Sequence, residues 1–163
     1  MSEELHVDNV STSHDPFAST QLIIDALNEK KWKHEVKLHN ENTPRDRIYL
    51  SFNAEHMPNI RIIVVCDESG RRVGLHVYDI MKLPHAEPAE LYQLIQKMHF
   101  EFIFARWMFD ENDKTIQAEW YTHMNGTADA GRIVVEGIGR LVSLVDDAYP
   151  LLMKTCGELG LFK

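Results

Sequence analysis

Apolar and polar residues alternate with a period of two along three consecutive segments in the first half of the chain. The segments cover residues 48–52, 60–66 and 73–77, and the polar turn Glu68-Ser69-Gly70 lies between the last two. Such alternation is typical of strands that bury one face. The pattern predicts an antiparallel meander, preceded by a short edge strand within residues 32–39.

Two stretches with apolar residues at helical spacing flank this meander. The first is predicted to begin at Asp15-Pro16, because an N-cap aspartate followed by proline at the first helical position is a typical helix start. Glu87-Pro88 is predicted to begin the second helix in the same way, with its apolar stripe running over residues 91–98.

The second half of the chain returns to strands before a long final helix. Residues 102–109 and 114–121 are predicted to form a hairpin joined by a polar turn. Residues 128–156 carry apolar residues at steps of four and three, which indicates a packed helix, and Pro150 is expected to kink or divide it. This order of elements predicts an α+β fold, with a curved, mostly antiparallel sheet and flanking helices.

Length and charge add to this picture. The chain has 163 residues, enough for one domain, and we predict a mobile N-terminal arm over residues 1–15 and a single domain over 16–163. The net charge is −8, from 25 acidic and 17 basic residues, and the basic residues form no run. Nucleic acid and anionic membranes are therefore not expected as partners, since both attract clustered Lys and Arg.

The expected location is the cytoplasm. The first residues lack the apolar core of a signal peptide, and no apolar run is long enough to cross a bilayer. The two cysteines, Cys66 and Cys156, have no metal or redox spacing, so buried and reduced thiols are expected.

Residues that could carry chemistry do not assemble along the sequence. The nine histidines lack the spacing of a zinc site, neither cysteine has the setting of a nucleophile, and no serine lies in a G-x-S-x-G context. Asp146 and Asp147 are adjacent, and a solvated face is expected for them. Gly131, Gly137 and Gly139 lack a phosphate-binding pattern and indicate close helix packing instead. We therefore expect no enzyme activity, no metal and no cofactor.

The predicted sheet carries apolar residues on both faces, and a single helix layer can bury only one. The second face is the candidate site for a partner or for dimerisation, and its predicted members are Tyr49, Ile63, Val65, Tyr78, Phe104 and Met108. Alternatively, the first and last helices lie on opposite faces and cover both. A further alternative is a small-molecule receptor or degenerate enzyme, with a pocket between the C-terminal helix and the sheet near Trp107, Trp120 and Ile138.

Three stretches of the chain also share their order and pattern with a known family. They are residues 32–70 with their strands and turn, residues 91–109 where a helix leads directly into a strand, and the final helix with the segment Leu141-Val142-Ser143-Leu144-Val145-Asp146-Asp147-Ala148-Tyr149-Pro150-Leu151-Leu152. Over about residues 16–156 the chain resembles the bacterial sensory transduction regulator (YbjN-like) family. Members often carry Asn near the end of the middle helix, where this chain has Met98-His99-Phe100.

The resemblance implies a fold similar to that of type III secretion chaperones, which are homodimers that hold partner polypeptides on exposed apolar surfaces. The regulator family has no established reaction, so no functional residues carry over. Together with the apolar second face, the resemblance leads us to expect a non-enzymatic, homodimeric adaptor that binds a protein or peptide.

Overall fold

The computed structural model describes residues 14–124 and 128–162. Within them the chain forms three helices and six strands. In chain order these are α1 (Ala18–Glu29), β1 (Glu35–Lys37), β2 (Arg45–Phe52), β3 (Ile60–Asp67), β4 (Arg72–Lys82), α2 (Pro88–Glu101), β5 (Arg106–Asp110), β6 (Thr115–His123) and α3 (Ala130–Glu158). Residues 1–13 of the predicted N-terminal arm lie outside the described residues.

The strands form one open antiparallel sheet in the order β1-β2-β3-β4-β6-β5. The predicted α+β class with an antiparallel sheet is therefore confirmed. On one face, called here the covered face, successive strands place residues such as Ile62, Leu75 and Ala118, which are fully buried. The opposite face, called here the open face, carries the alternate residues of each strand, and most of these are half-buried or exposed.

All three helices lie on the covered face. Helix α3 contacts β3, β4 and β6, and both α1 and α2 pack beside α3. The stripe predicted along α3 is buried, including Val134, Ile138, Leu141, Val145 and Leu152. Within the part of the chain that the structure describes, no helix lies over the open face. The alternative in which α1 and α3 cover opposite faces is therefore wrong.

Several predicted boundaries differ from the structure. Helix α1 begins at Ala18 with Phe17 as its N-cap, and not at Asp15-Pro16, because the Phe17 N–H donates to the buried carboxylate of Asp46. Helix α3 continues through Pro150 without dividing, because packing of the buried stripe on both sides of the proline outweighs one missing backbone hydrogen bond.

The predicted strand over residues 102–109 is shorter than expected. Helix α2 extends to Glu101, and β5 begins only at Arg106. In a strand from residue 102 Ile103 would share a face with Trp107, but Trp107 is buried and Ile103 is 87% exposed. Apolar residues in a short run fit a turn after a helix as well as a strand, so their pattern could not locate this boundary.

The glycines of α3 divide into two groups. A Cβ atom at Gly131 would lie 2.5 Å from the carbonyl oxygen of Leu22 in α1, and one at Gly137 would collide with the ring of Trp120. Close packing was predicted for both and is confirmed. At Gly139, in contrast, a Cβ would meet no atom within 4 Å, so the predicted close packing is wrong at that position.

Alanine substitutions at two of these glycines are expected to have opposite effects. Gly139→Ala should raise the free energy of unfolding by about 1 kcal/mol, because alanine favours the helix and the site is open. Gly131→Ala should lower it by about 1–3 kcal/mol, because the carbonyl of Leu22 belongs to a packed helix and must move. Urea denaturation measures both changes, and equal effects at the two positions would contradict the α1–α3 crossing described above.

Candidate functional site

The open face gathers five of the six predicted site residues. Tyr49 of β2 lies directly opposite Ile63 of β3, and Val65 follows Ile63 on the same side of that strand. Tyr78 of β4 stacks against the neighbouring His76, with ring centroids 5.6 Å apart, and Met108 of β5 lies opposite Gln117. All five side chains are half-buried although no helix of the described chain covers them. Tyr49, Ile63, Val65 and Tyr78 form an apolar strip over β2, β3 and β4, whereas Met108 lies on the edge strand β5, beyond Gln117 of β6.

Phe104, the sixth predicted residue, does not belong to this face. It lies in the turn between α2 and β5, and its ring stacks on that of Trp120 at 5.1 Å. Trp120 is on the covered face, where its ring reaches Gly137 of α3. The prediction for Phe104 was wrong because it assumed a strand that extends back to residue 102.

A groove of about 620 Å³ lies on the open face over β2, β3 and β4. Its floor includes Tyr49, Ile63 and Tyr78, and its rim is polar. On the rim, Arg61 donates to Asp79 at 2.6 Å, an exposed ion pair of small energetic value. The Nζ of Lys37 lies 5.0 Å from the ring centroid of Tyr49. An apolar floor with a charged rim is the arrangement found at the centres of protein interfaces and in ligand grooves.

Beside the groove lies a polar cluster that the sequence did not reveal. Glu119 of β6 is buried, and it accepts a hydrogen bond from the guanidinium of Arg106 in β5. The Nδ1 of His76 lies 3.2 Å from the Oε2 of the same carboxylate, and the hydroxyl of Tyr121 lies 3.5 Å from it. Tyr121 lies two residues from Glu119 on the same strand, whereas His76 and Arg106 come from β4 and β5, so the sheet register brings these two to Glu119.

The pKa of His76 lies below its ordinary value in this cluster. Burial lowers its pKa, and the positive charges of Arg106 and Arg45 lower it further. Its ring lies between Tyr78 and Tyr121, which contacts it edge-on at 5.3 Å. Burial also raises the pKa of the Tyr78 phenol, with the neighbouring Tyr121 contributing in the same direction. The cluster thus places fixed hydrogen-bonding groups within a surface that is otherwise apolar and aromatic.

The residues suggested for a pocket between α3 and the sheet lie in the packed core. Trp107 and Ile138 are almost completely buried, and the ring of Trp120 fills the space left by Gly137. These three side chains therefore belong to the packed interior, and the described residues around them leave no open gap between α3 and the sheet.

The two cysteines are buried, and neither is in a disulfide. Burial raises the pKa of Cys66 to about 12 and that of Cys156 to about 11, so both thiols stay protonated at neutral pH. No group of three or more potential metal-ligating side chains occurs among residues 14–124 and 128–162. None of the helices in that part of the chain combines the length and apolar character needed to span a membrane.

Three comparisons with known proteins were made. Family models, curated proteins and solved structures each gave no match to this chain.

Proposed function

We propose that this chain is a non-enzymatic adaptor, chaperone-like or regulatory, that binds a partner polypeptide on its open face. The single observation that carries the proposal is the apolar strip of Tyr49, Ile63, Val65 and Tyr78, which no helix of the described chain covers. The cytoplasm as its location and a homodimer as its assembly are part of the proposal, and they rest on the sequence.

The position of the strip within the sheet supports this proposal. Ile63 and Val65 lie on β3, which has a hydrogen-bonded neighbour on each side. An interior strand that is exposed on one face usually places polar residues there, because exposed apolar area has no stabilising role in an isolated monomer. Full burial of an exposed side chain of this size contributes about 1.5–3 kcal/mol, and since these side chains are already half-buried a partner adds only part of that at each. A partner polypeptide would thus gain several such contacts on this face.

The distribution of polar residues supports it further. Charged side chains surround the strip, among them Arg61, Asp79 and Arg106, and the guanidinium of Arg106 balances the buried carboxylate of Glu119. An apolar centre with a polar rim excludes water from the contacts that contribute most to affinity. This arrangement fits recognition of a polypeptide better than it fits a surface that remains solvated.

A second candidate function is favoured by the groove itself. Its volume of about 620 Å³ lies within the range of roughly 300–1,000 Å³ that is usual for small-molecule sites. A receptor for a small apolar ligand would use Tyr49, Ile63 and Tyr78 in place of the region between α3 and the sheet. Native mass spectrometry of the purified chain distinguishes the two candidates, since a retained small molecule adds a discrete mass.

The double substitution Ile63→Asp with Val65→Asp is expected to abolish partner binding and to leave the fold intact. Both side chains are half-exposed, so the carboxylates remain hydrated in the free protein, whereas partner binding would have to desolvate them. We expect affinity to fall by on the order of 100-fold or more. Affinity capture from the native cell, quantified by mass spectrometry, measures the loss, and circular dichroism checks the fold.

Ile103→Asp is the matched control, because it makes the same chemical change at an apolar side chain that is 87% exposed and lies off the open face. The control should retain the same captured proteins as the unmodified chain. The proposal fails if the double variant unfolds, which would make the face part of a core, or if it still captures those proteins. Light scattering on all three proteins tests the homodimer.

A further inference from the structure

Arginines are concentrated on the open face. The chain has eight arginines, and five of them lie on this face: Arg45, Arg47, Arg61, Arg72 and Arg106. The chain as a whole has a net charge of −8, and the same face also carries carboxylates, among them Asp67, Asp79 and Glu119. Because neighbours on one face are two residues apart within a strand, or lie on different strands, no basic run is visible in the sequence.

Two of the five are neutralised by carboxylates and three are not. Arg61 pairs with Asp79, and Arg106 pairs with Glu119. Among the described residues, no carboxylate oxygen lies within 4.0 Å of the side-chain nitrogens of Arg45, Arg47 and Arg72. The guanidinium of Arg72 is instead held against the ring of Tyr121, 5.3 Å from its centroid. These three side chains can therefore receive oxyanions from outside the chain.

A depression at Gly74 lies between these arginines. It is lined by Arg45, Val65, Asp67, Arg72, Gly74, His76 and Tyr121. A Cβ atom at Gly74 would lie 2.7 Å from the Nε2 of His76 and 2.8 Å from the Cε1 of Tyr121. The absence of a side chain thus lets both rings lie over the strand, and it leaves a depression of about 30 Å³, room for a single oxygen atom of a charged group.

One carboxylate, that of Asp67, also lines this depression and lies opposite Arg45 in the sheet, so it offsets one of the three unpaired arginine charges and leaves a net positive charge. The carboxylate of Asp67 is engaged in its own turn, where it accepts hydrogen bonds from the Ser69 hydroxyl at 2.6 Å and the Gly70 N–H at 3.1 Å. Glu119 is already paired with Arg106. Arginine recognises carboxylate and phosphoryl oxygens with paired, charge-assisted hydrogen bonds, and partial burial strengthens them.

The depression and the groove are adjacent. Val65 and Gly74 line the depression. Ile63 lies at the floor of the groove, two residues from Val65 along β3. Two residues of a strand span about 6.6 Å. In an extended polypeptide the side chains of residues i and i+2 point to the same side and have the same separation.

We infer that the open face recognises an extended polypeptide segment that carries an apolar side chain and, two residues away, an oxyanion. The apolar side chain enters the groove at Tyr49 and Ile63, and the oxyanion binds Arg45, Arg47 and Arg72. The inference rests on the proposed function and names the chemistry of the partner. The apolar groove and the adjoining acidic side chains favour a polypeptide over a nucleic acid, whose phosphates are uniformly charged.

Short synthetic peptides test this chemistry directly. Each has blocked termini, one tyrosine, and a variable residue two positions before or after it, which is glutamate, phosphoserine, glutamine or lysine. The probes are titrated into the full chain labelled with ¹⁵N, and a short oligothymidine is titrated in parallel. We expect the glutamate or phosphoserine peptide to bind roughly tenfold or more tightly than the glutamine peptide. The amide signals of Gly74 and Val65 should shift on binding.

The comparison between glutamate and phosphoserine identifies which oxyanion is preferred. Arg45→Gln with Arg72→Gln should remove the preference for an oxyanion and leave binding of the glutamine peptide unchanged. Arg140→Gln is the matched control, because this exposed arginine on α3 also has no carboxylate within 4.0 Å among the described residues. The control should keep the preference.

Three outcomes would overturn the inference. Equal shifts of the groove signals by all four peptides would show apolar recognition without an oxyanion site, and the proposed function would stand. Stronger displacement of the same signals by oligothymidine would assign the arginines to nucleic acid. If no peptide shifts the open-face signals, the oxyanion site is rejected. The proposed function is decided separately, by whether the Ile63→Asp with Val65→Asp variant still captures the partner proteins.

Discussion

Asp46→Ala is expected to lower the free energy of unfolding by about 3 kcal/mol, because it leaves buried donors without an acceptor. The Asp46 side chain is fully buried on the covered face. Its Oδ2 accepts the Phe17 N–H at 2.9 Å, and its Oδ1 accepts the His39 N–H at 2.8 Å and lies 2.8 Å from the Nδ1 of His39. One carboxylate thus joins the start of α1 to the segment between β1 and β2, and chemical denaturation at neutral pH measures its contribution.

Asp25→Ala is the control for this substitution. Asp25 lies on α1 and makes one exposed hydrogen bond, from the Nε2 of Gln21 at 2.8 Å. Its removal should change stability by less than about 0.5 kcal/mol. The loss of stability for Asp46→Asn should lie between the losses for Asp46→Ala and Asp25→Ala. The amide oxygen still accepts a hydrogen bond, but the NH₂ group faces other donors. A loss of less than about 1 kcal/mol for Asp46→Ala would show that these donors find water instead.

Asp146→Ala is expected to have the second largest effect, a loss of about 2 kcal/mol. The carboxylate of Asp146 on α3 accepts three backbone hydrogen bonds from the loop between β2 and β3: from Glu55 at 3.2 Å, His56 at 2.8 Å and Met57 at 2.9 Å. The adjacent Asp147 is exposed, so Asp147→Ala should be nearly neutral. If the two variants unfold at the same urea concentration, the loop does not depend on this carboxylate.

Both carboxylates predict a loss of stability in acid. Burial alone would raise the pKa of Asp46, but the Phe17 N–H and His39 outweigh it and hold the pKa below its ordinary value. The same balance applies to Asp146, whose pKa is lowered by the N–H groups of Met57, His56 and Glu55 against the effect of burial. A lowered pKa gives stability that is complete above about pH 3.9 and is lost as the pH falls through the folded-state value. The differences between each alanine variant and the unmodified chain should therefore shrink below that pH.

The sequence predicted the face on which most strand residues lie. Period-two alternation placed Ile62 and Val64 opposite Ile63 and Val65, and the structure shows the first pair buried and the second half-exposed. The same reasoning failed for Phe104, because apolar residues at a helix end carry no mark of where the helix stops. The prediction of a solvated Asp146 also failed, since its three partners lie about ninety residues away in the sequence.

The sequence predicted only the apolar part of the candidate site. Alternation within one strand reveals apolar residues that share a face, so Tyr49 and Ile63 could be assigned to it without knowing how strands pair. The cluster of His76, Glu119 and Arg106 depends on register between β4, β6 and β5. Their side chains are ordinary polar residues in three separate segments, and nothing in their spacing indicates that they meet.

By itself, then, the sequence determined which residues alternate, where the main strands and the long final helix lie, and that one sheet carries apolar residues on both faces. Only the tertiary structure decided that all three helices pack on the same face, which leaves Ile63 and Val65 uncovered, and that five arginines share the open face with them. The physical reason is that alternation and helical periodicity are local properties of the backbone. The side on which a helix packs and the register of paired strands arise from contacts between distant segments.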